Sequence, residues 1–69
     1  MKLPLYVFLS DIPPGTNPAV DFIRASTPNR TIPTWLYSWH DLANYLVYRK
    51  AGVPLRHAAR RAFLAYRES

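Results

Sequence analysis

The chain contains no cysteine, and this absence excludes two ways of stabilising a small fold. Without thiols there is neither a disulfide framework nor a thiolate metal site, and the composition leans towards the cytoplasm without fixing the compartment. A chain of 69 residues buries only about 60% of the surface that its unfolded form exposes. We therefore predict one domain over residues 1–69, held together by tertiary apolar packing.

Long apolar runs are also missing from this chain. No run approaches the roughly 20 residues that cross a bilayer, so we expect no membrane span. The first ten residues are interrupted by Pro4 and lack a small-residue cleavage site, which makes them a poor signal peptide. Apolar residues make up 49% of the chain, too many for a disordered tail. These features predict a folded cytoplasmic protein whose fold includes its N-terminal segment.

Acidic residues are scarce: the chain has four, against nine lysines and arginines. The net charge of +5 and the pI near 10.1 favour a polyanionic partner or surface. Six of the nine cations follow residue 48, namely Arg49, Lys50, Arg56, Arg60, Arg61 and Arg67. The basic character is therefore concentrated in the last third of the chain.

The clearest structural signal is a central helix predicted from Ser38 to Gly52. Ser38 is a preferred N-cap, Asp41 is placed for a capping box, and Gly52 suits a left-handed C-cap. The apolar side of this helix covers more than half of its circumference, with Trp39, Leu42, Ala43, Tyr45, Leu46 and Val47. We expect neighbours on several sides of it, and Trp39 and Leu46 in the core.

Two shorter helices are predicted before the central one. Apolar residues from Leu5 to Ile12 have helical spacing; the competing interpretation is a strand, which would lack a convincing partner. Asn17 as N-cap and Pro18 begin the second helix, which Pro28 closes. The connection that follows, residues 27–37, is expected to be anchored to the core by its large apolar residues Ile32, Trp35 and Leu36.

The last predicted helix runs from Pro54 to about Arg67 and completes an all-α fold, a compact orthogonal bundle of four to five short helices. One half of it carries Leu55, Ala58, Ala59, Ala62, Phe63, Ala65 and Tyr66. The other half carries a stripe of Arg56, Arg60 and Arg67, with His57 and Arg61 further round. Leu64 lies in the middle of this polar half, where core packing does not explain it.

The sequence offers little for catalysis. Its two histidines, His40 and His57, fall in different helices, too few for a metal site. Ser38, His40 and Asp41 lie within one helical turn and point in different directions, so they do not form a nucleophilic triad. We predict no enzymatic activity, no cofactor, no metal and no small-molecule substrate.

The order of these features resembles the YozE-like family of small bacterial and phage proteins, whose fold is similar to the sterile alpha motif. The matching residues are the opening LYVFL, the segment VDFI, Ile32 and Pro33, Ser38 to Leu42, Tyr45 and Leu46, and finally Ala62, Phe63 and Tyr66. The resemblance implies a fold of four to five helices and suggests a nucleic-acid role. It implies no catalytic residue.

Two classes of function remain open. A third interpretation is that the basic face is only solvated and binds no partner. The first is a nucleic-acid module that binds the phosphate backbone of DNA or RNA. Its candidate residues are Arg56, Arg60, Arg61, Arg67, Lys50 and the stacking neighbour Tyr48. The second is a protein–protein interaction module, such as a phage-type modulator of a host protein, with Leu64 and His57 in its contact surface.

Overall fold

Four α-helices, and no strand, make up the regular structure of residues 3–68, the part of the chain that the computed structural model describes. The helices are α1 (Leu5–Ser10), α2 (Pro18–Ala25), α3 (Trp39–Tyr48) and α4 (Val53–Glu68), with a short 3-10 turn at Pro28–Arg30. The all-α prediction is confirmed, and the first segment is a helix and not a strand. Of the N-terminal segment predicted to belong to the fold, residues 1 and 2 lie outside the described range.

The core lies between α4 and the other three helices. α4 contacts α1, α2 and α3, so it is α4, and not the predicted central helix α3, that touches every other helix. Its buried side is made of Ala58, Ala59 and Ala62, whose small side chains let the neighbouring backbones approach closely. The other buried residues are Leu5, Leu9, Ala19, Val20, Ile23, Ile32, Leu36, Leu42, Tyr45 and Leu46.

The first turn of α3 has the predicted capping box. The Ser38 hydroxyl accepts a hydrogen bond from the Asp41 amide at 3.3 Å, and the Asp41 carboxylate accepts one from the Ser38 amide at 3.3 Å. The same carboxylate also accepts from the Tyr37 amide at 3.1 Å. Amides that a helix N-terminus leaves without partners are thus satisfied by two local side chains.

The predicted C-cap at Gly52 is wrong, because α3 ends earlier. Lys50, with a φ of 59°, takes the left-handed conformation immediately after the cap residue Arg49. The Ala51 amide donates to the Leu46 carbonyl at 2.9 Å, and the Lys50 amide donates to the Val47 carbonyl at 3.0 Å. This is the Schellman pattern, and it turns Ala51 onto the core. The Gly52 carbonyl instead accepts the first hydrogen bonds of α4.

A lysine in the left-handed region is strained, and glycine would relieve that strain. We expect Lys50→Gly to raise the free energy of unfolding by about 0.5 to 1 kcal/mol. Chemical unfolding followed by circular dichroism measures this. Lys50→Ala is the matched control, because it removes the same charge and keeps the Cβ atom. A glycine variant no more stable than the alanine variant would contradict this account of the turn.

α2 begins as predicted and is also tied to α4. The Asn17 side-chain oxygen accepts from the amides of Ala19 and Val20 at 2.9 and 3.2 Å. Its amide nitrogen donates to the Ala58 carbonyl at 3.0 Å, a contact across the core that the sequence did not predict. One side chain therefore caps α2 and fixes its start against α4.

Arg24 plays a structural part that the sequence did not indicate. Its guanidinium donates to the carbonyls of Leu9, Ser10 and Ile12 at 3.3, 2.9 and 2.5 Å. These carbonyls lie at and just beyond the end of α1, where a helix leaves acceptors without partners. Arg24 is therefore committed to holding α1 against α2.

Several apolar residues predicted to be buried are not. Trp35 is 52% exposed and Val47 59% exposed, and Ala65 also faces solvent, while Trp39 is only partly buried at the edge of the core. Ile32 and Leu36 alone anchor the connection between α2 and α3 as predicted. So small a core does not have room for every apolar residue on the predicted faces, and it leaves Trp35 and part of Trp39 at the surface of the protein.

Candidate nucleic-acid interface

Three exposed arginines follow one edge of α4. Arg56, Arg60 and Arg67 are spaced by four and seven residues, which places them within about 40° of one another around the helix axis. They extend over roughly 16 Å of its length. We call these three residues the arginine edge. The structure thus keeps the predicted stripe together on the solvent side.

Arg60 is fixed in place by aromatic rings. Its guanidinium carbon lies 4.9 Å from the ring centre of Trp39 and 5.8 Å from that of Phe63. The two ring centres are 5.7 Å apart. A guanidinium over a ring is attracted by the negative face of the π-system and orders its side chain against the surface. Arg60 of α4 therefore packs against Trp39 of α3, and its positive charge lies beside the ring.

The charges of Arg56 and Arg60 in the arginine edge are poorly compensated. The one ion pair within residues 3–68 joins Arg24 and Asp21 at 4.0 Å. Asp41 is engaged in the capping box of α3, and Asp21 accepts from the Gly15 amide. Arg56 and Arg60 have no acidic partner in that range, so this side of the molecule presents net positive charge to solvent.

Tyr48 and Lys50 lie apart from the arginine edge. Tyr48 follows Trp39 by nine residues, which places the two on opposite sides of α3, and it is Trp39 that contacts Arg60. Tyr48 is 80% exposed. Lys50 is exposed in the turn that joins α3 to α4. The structure therefore does not bring Tyr48 against Arg60, where the sequence had placed a stacking neighbour.

Tyr48 belongs instead to a second basic and aromatic cluster. It lines an open groove of about 420 Å³ together with Trp35, Tyr45 and Arg49. We call these four residues the aromatic groove. The sequence did not predict it, because Trp35 was assigned to the core. The signal that could have found it is Tyr45, Tyr48 and Arg49 at positions i, i+3 and i+4 of one helix.

The remaining predicted residues lie elsewhere on α4. Arg61 is about 140° round the helix from Arg56 and lines a different groove, with Phe8 and Asp11 of the α1 side. His57 is exposed, and Leu64 is 39% exposed in the middle of the solvent side. Arg61 is thus separated from the arginine edge, whereas His57 and Leu64 are beside it.

No family model, curated protein or solved structure matches this chain. The resemblance to the YozE-like family therefore stays a prediction from the residues alone. Among the helices of the described residues, none has the length and apolar character needed to cross a membrane. Within the same range, no three His, Asp or Glu side chains come together as metal ligands would.

Proposed function

We propose that the protein is a small, non-enzymatic, cytoplasmic binding module that associates with the backbone of nucleic acids through its arginine edge. The observation that carries this proposal is the alignment of exposed Arg56, Arg60 and Arg67 on one edge of α4, where Arg56 and Arg60 have no acidic partner within residues 3–68. Such a surface attracts a polyanion from a distance and releases counterions when it binds one.

Arginine suits this role better than lysine. The planar guanidinium can donate two parallel hydrogen bonds to a phosphate, and these charge-assisted bonds are stronger than neutral ones. Arg60 is ordered over Trp39, so less side-chain freedom is lost when it meets a phosphate. No Asn or Gln accompanies the arginines on α4, so we expect this edge to bind phosphates with little readout of base sequence.

For the fold we propose the bundle of the sterile alpha motif, in the form that the YozE-like family shows. The four helices in their observed order support it, as do the buried Ile32, Leu42 and Leu46 among the residues that carry the resemblance. Their burial makes these positions core residues. They therefore support a shared fold more than a shared partner.

The test is a titration of fluorescently labelled duplex DNA, single-stranded DNA and RNA at several salt concentrations. Binding through phosphates should be clear at low salt and should weaken linearly on a logarithmic plot against salt concentration. It should differ little between nucleic acids of different sequence. Absence of binding to all three probes at low salt would overturn the proposal.

A second candidate function is a protein–protein interaction, which the middle of the solvent side of α4 favours. Val53, His57 and Leu64 fall within about 40° of one another there, and the two apolar residues are half-exposed. A protein interface with an apolar centre loses much less affinity with salt than phosphate binding does. A partner recovered from extract after nuclease treatment, and lost on Leu64→Asp, would favour this candidate.

A further inference from the structure

The aromatic groove combines exposed rings with a cation. Trp35 and Tyr48 are both more than half exposed, although large aromatic side chains are favoured in the core of a small domain. The ring centres of Trp35 and Tyr45 are 5.8 Å apart, with an angle of 50° between the planes. The Arg49 guanidinium carbon lies 5.7 Å from the ring centre of Tyr45 and 5.9 Å from that of Tyr48.

We infer that this groove holds an unpaired base of a single-stranded nucleic acid, stacked on Tyr48 and Trp35, with Arg49 meeting the adjacent phosphate. The inference rests on the proposed function and extends it from phosphate binding to a preference for single strands. A base in a duplex is already stacked and is covered by its neighbours. A base in a single strand has a free π-face that an exposed aromatic ring can cover.

The positive charge of the groove narrows the classes of ligand that its aromatic side chains can bind. Aromatic cages for cationic ligands need a negative environment, whereas here Arg49 lines the groove and no acidic residue does. Proline-rich peptides also dock on tyrosines and tryptophans, but they do not need the cation. A nucleotide uses both parts of the site, because its base is aromatic and its phosphate is anionic.

Two further features suit a ligand of this kind. Tyr45 is almost fully buried, and its hydroxyl has no hydrogen-bond partner within the described residues. Buried hydroxyls are usually satisfied, so a polar atom entering beside Tyr45 would remove a cost. Asn44 lines the same groove, and its amide nitrogen lies 3.0 Å from the His40 ring nitrogen. The amide oxygen of Asn44 makes no hydrogen bond within that range and is available to a base edge.

The experiment compares three polyanions of similar length: a single-stranded oligothymidine, a DNA duplex, and inorganic polyphosphate, which has no bases. We expect Tyr48→Ala to weaken oligothymidine binding about tenfold, as the loss of one stacked base predicts. Binding of the duplex and of polyphosphate should change less than twofold, since Tyr48 carries no charge. Tyr48→Phe, which keeps the ring, should bind like the parent protein.

The fold is not at risk in this comparison, because the Tyr48 side chain is 80% exposed. Equal loss of affinity for all three probes, or no loss for oligothymidine, would overturn the groove inference while leaving phosphate binding intact. Binding of a proline-rich peptide that oligothymidine fails to displace would overturn it too. No binding of any of the three polyanions would overturn both the inference and the proposed function.

Discussion

Replacing Leu46 with alanine should lower the free energy of unfolding by about 2 to 5 kcal/mol. Leu46 lies on α3 with no surface exposed to solvent, so the substitution leaves a cavity where α3 packs into the core. A core of this size supplies no more than about 3 to 5 kcal/mol in total. We therefore expect the variant to be largely unfolded near physiological temperature, as measured by urea and thermal unfolding with circular dichroism.

The next residue in the chain provides the control. Val47 lies on the same helix and is 59% exposed, so Val47→Ala should change the free energy of unfolding by less than about 0.5 kcal/mol. Both variants truncate an aliphatic side chain to alanine at adjacent positions, and the two positions differ in burial. If Leu46→Ala melted within a degree or two of the parent protein, the placement of α3 in the core would be wrong.

The beginnings of α2 and α3 could be predicted from the sequence because their causes are local. Asn17 and Ser38 accept hydrogen bonds from amides two or three residues further on, and those distances are fixed by the helix itself. The end of α3 depends on the core. Ala51 packs against the core, and this requires Lys50 to take the left-handed conformation. A turn at Gly52 would avoid that strain, and only the packed structure shows that the arrangement with Ala51 against the core is the one adopted.

Which apolar residues are buried was less predictable than where the helices lie. Helical spacing places Trp39, Leu46 and Val47 on one broad side of α3, but it does not say how much of that side a neighbour covers. In the packed fold Leu46 is completely buried, Trp39 is partly buried against the core, and Val47 is exposed to solvent. The extent of coverage is a property of the packed fold.

The two basic clusters also differ in how far the sequence alone predicts them. The arginine edge lies on one continuous helix, so its spacing in the sequence is enough to predict it. The aromatic groove joins Trp35, from the connection before α3, to Tyr48 and Arg49 at the end of α3. A separation of more than ten residues through irregular backbone carries no periodic signal, and tertiary packing alone brings these side chains together.

Replacing Arg56, Arg60 and Arg67 together with glutamine should reduce the salt dependence of duplex DNA binding while the fold survives. Each phosphate contact contributes a slope of roughly 0.9 on the logarithmic plot, so three lost contacts should lower the slope by about 2 to 3. Glutamine is a good helix former, so α4 should persist even though the contact of the Arg60 guanidinium with Trp39 is lost. Circular dichroism should therefore match that of the parent protein.

The control for loss of charge elsewhere is the double variant Arg30→Gln with Arg61→Gln, which removes two positive charges where the triple variant removes three. Both residues are exposed and lie away from the arginine edge, Arg30 after α2 and Arg61 about 140° round α4 from Arg56. If the arginine edge makes the contacts, the double variant should keep a slope within about one of the parent value. If the triple variant instead kept the full slope, the phosphates would be bound elsewhere. The surface around Leu64, with a protein partner, would then become the better candidate for the function of α4.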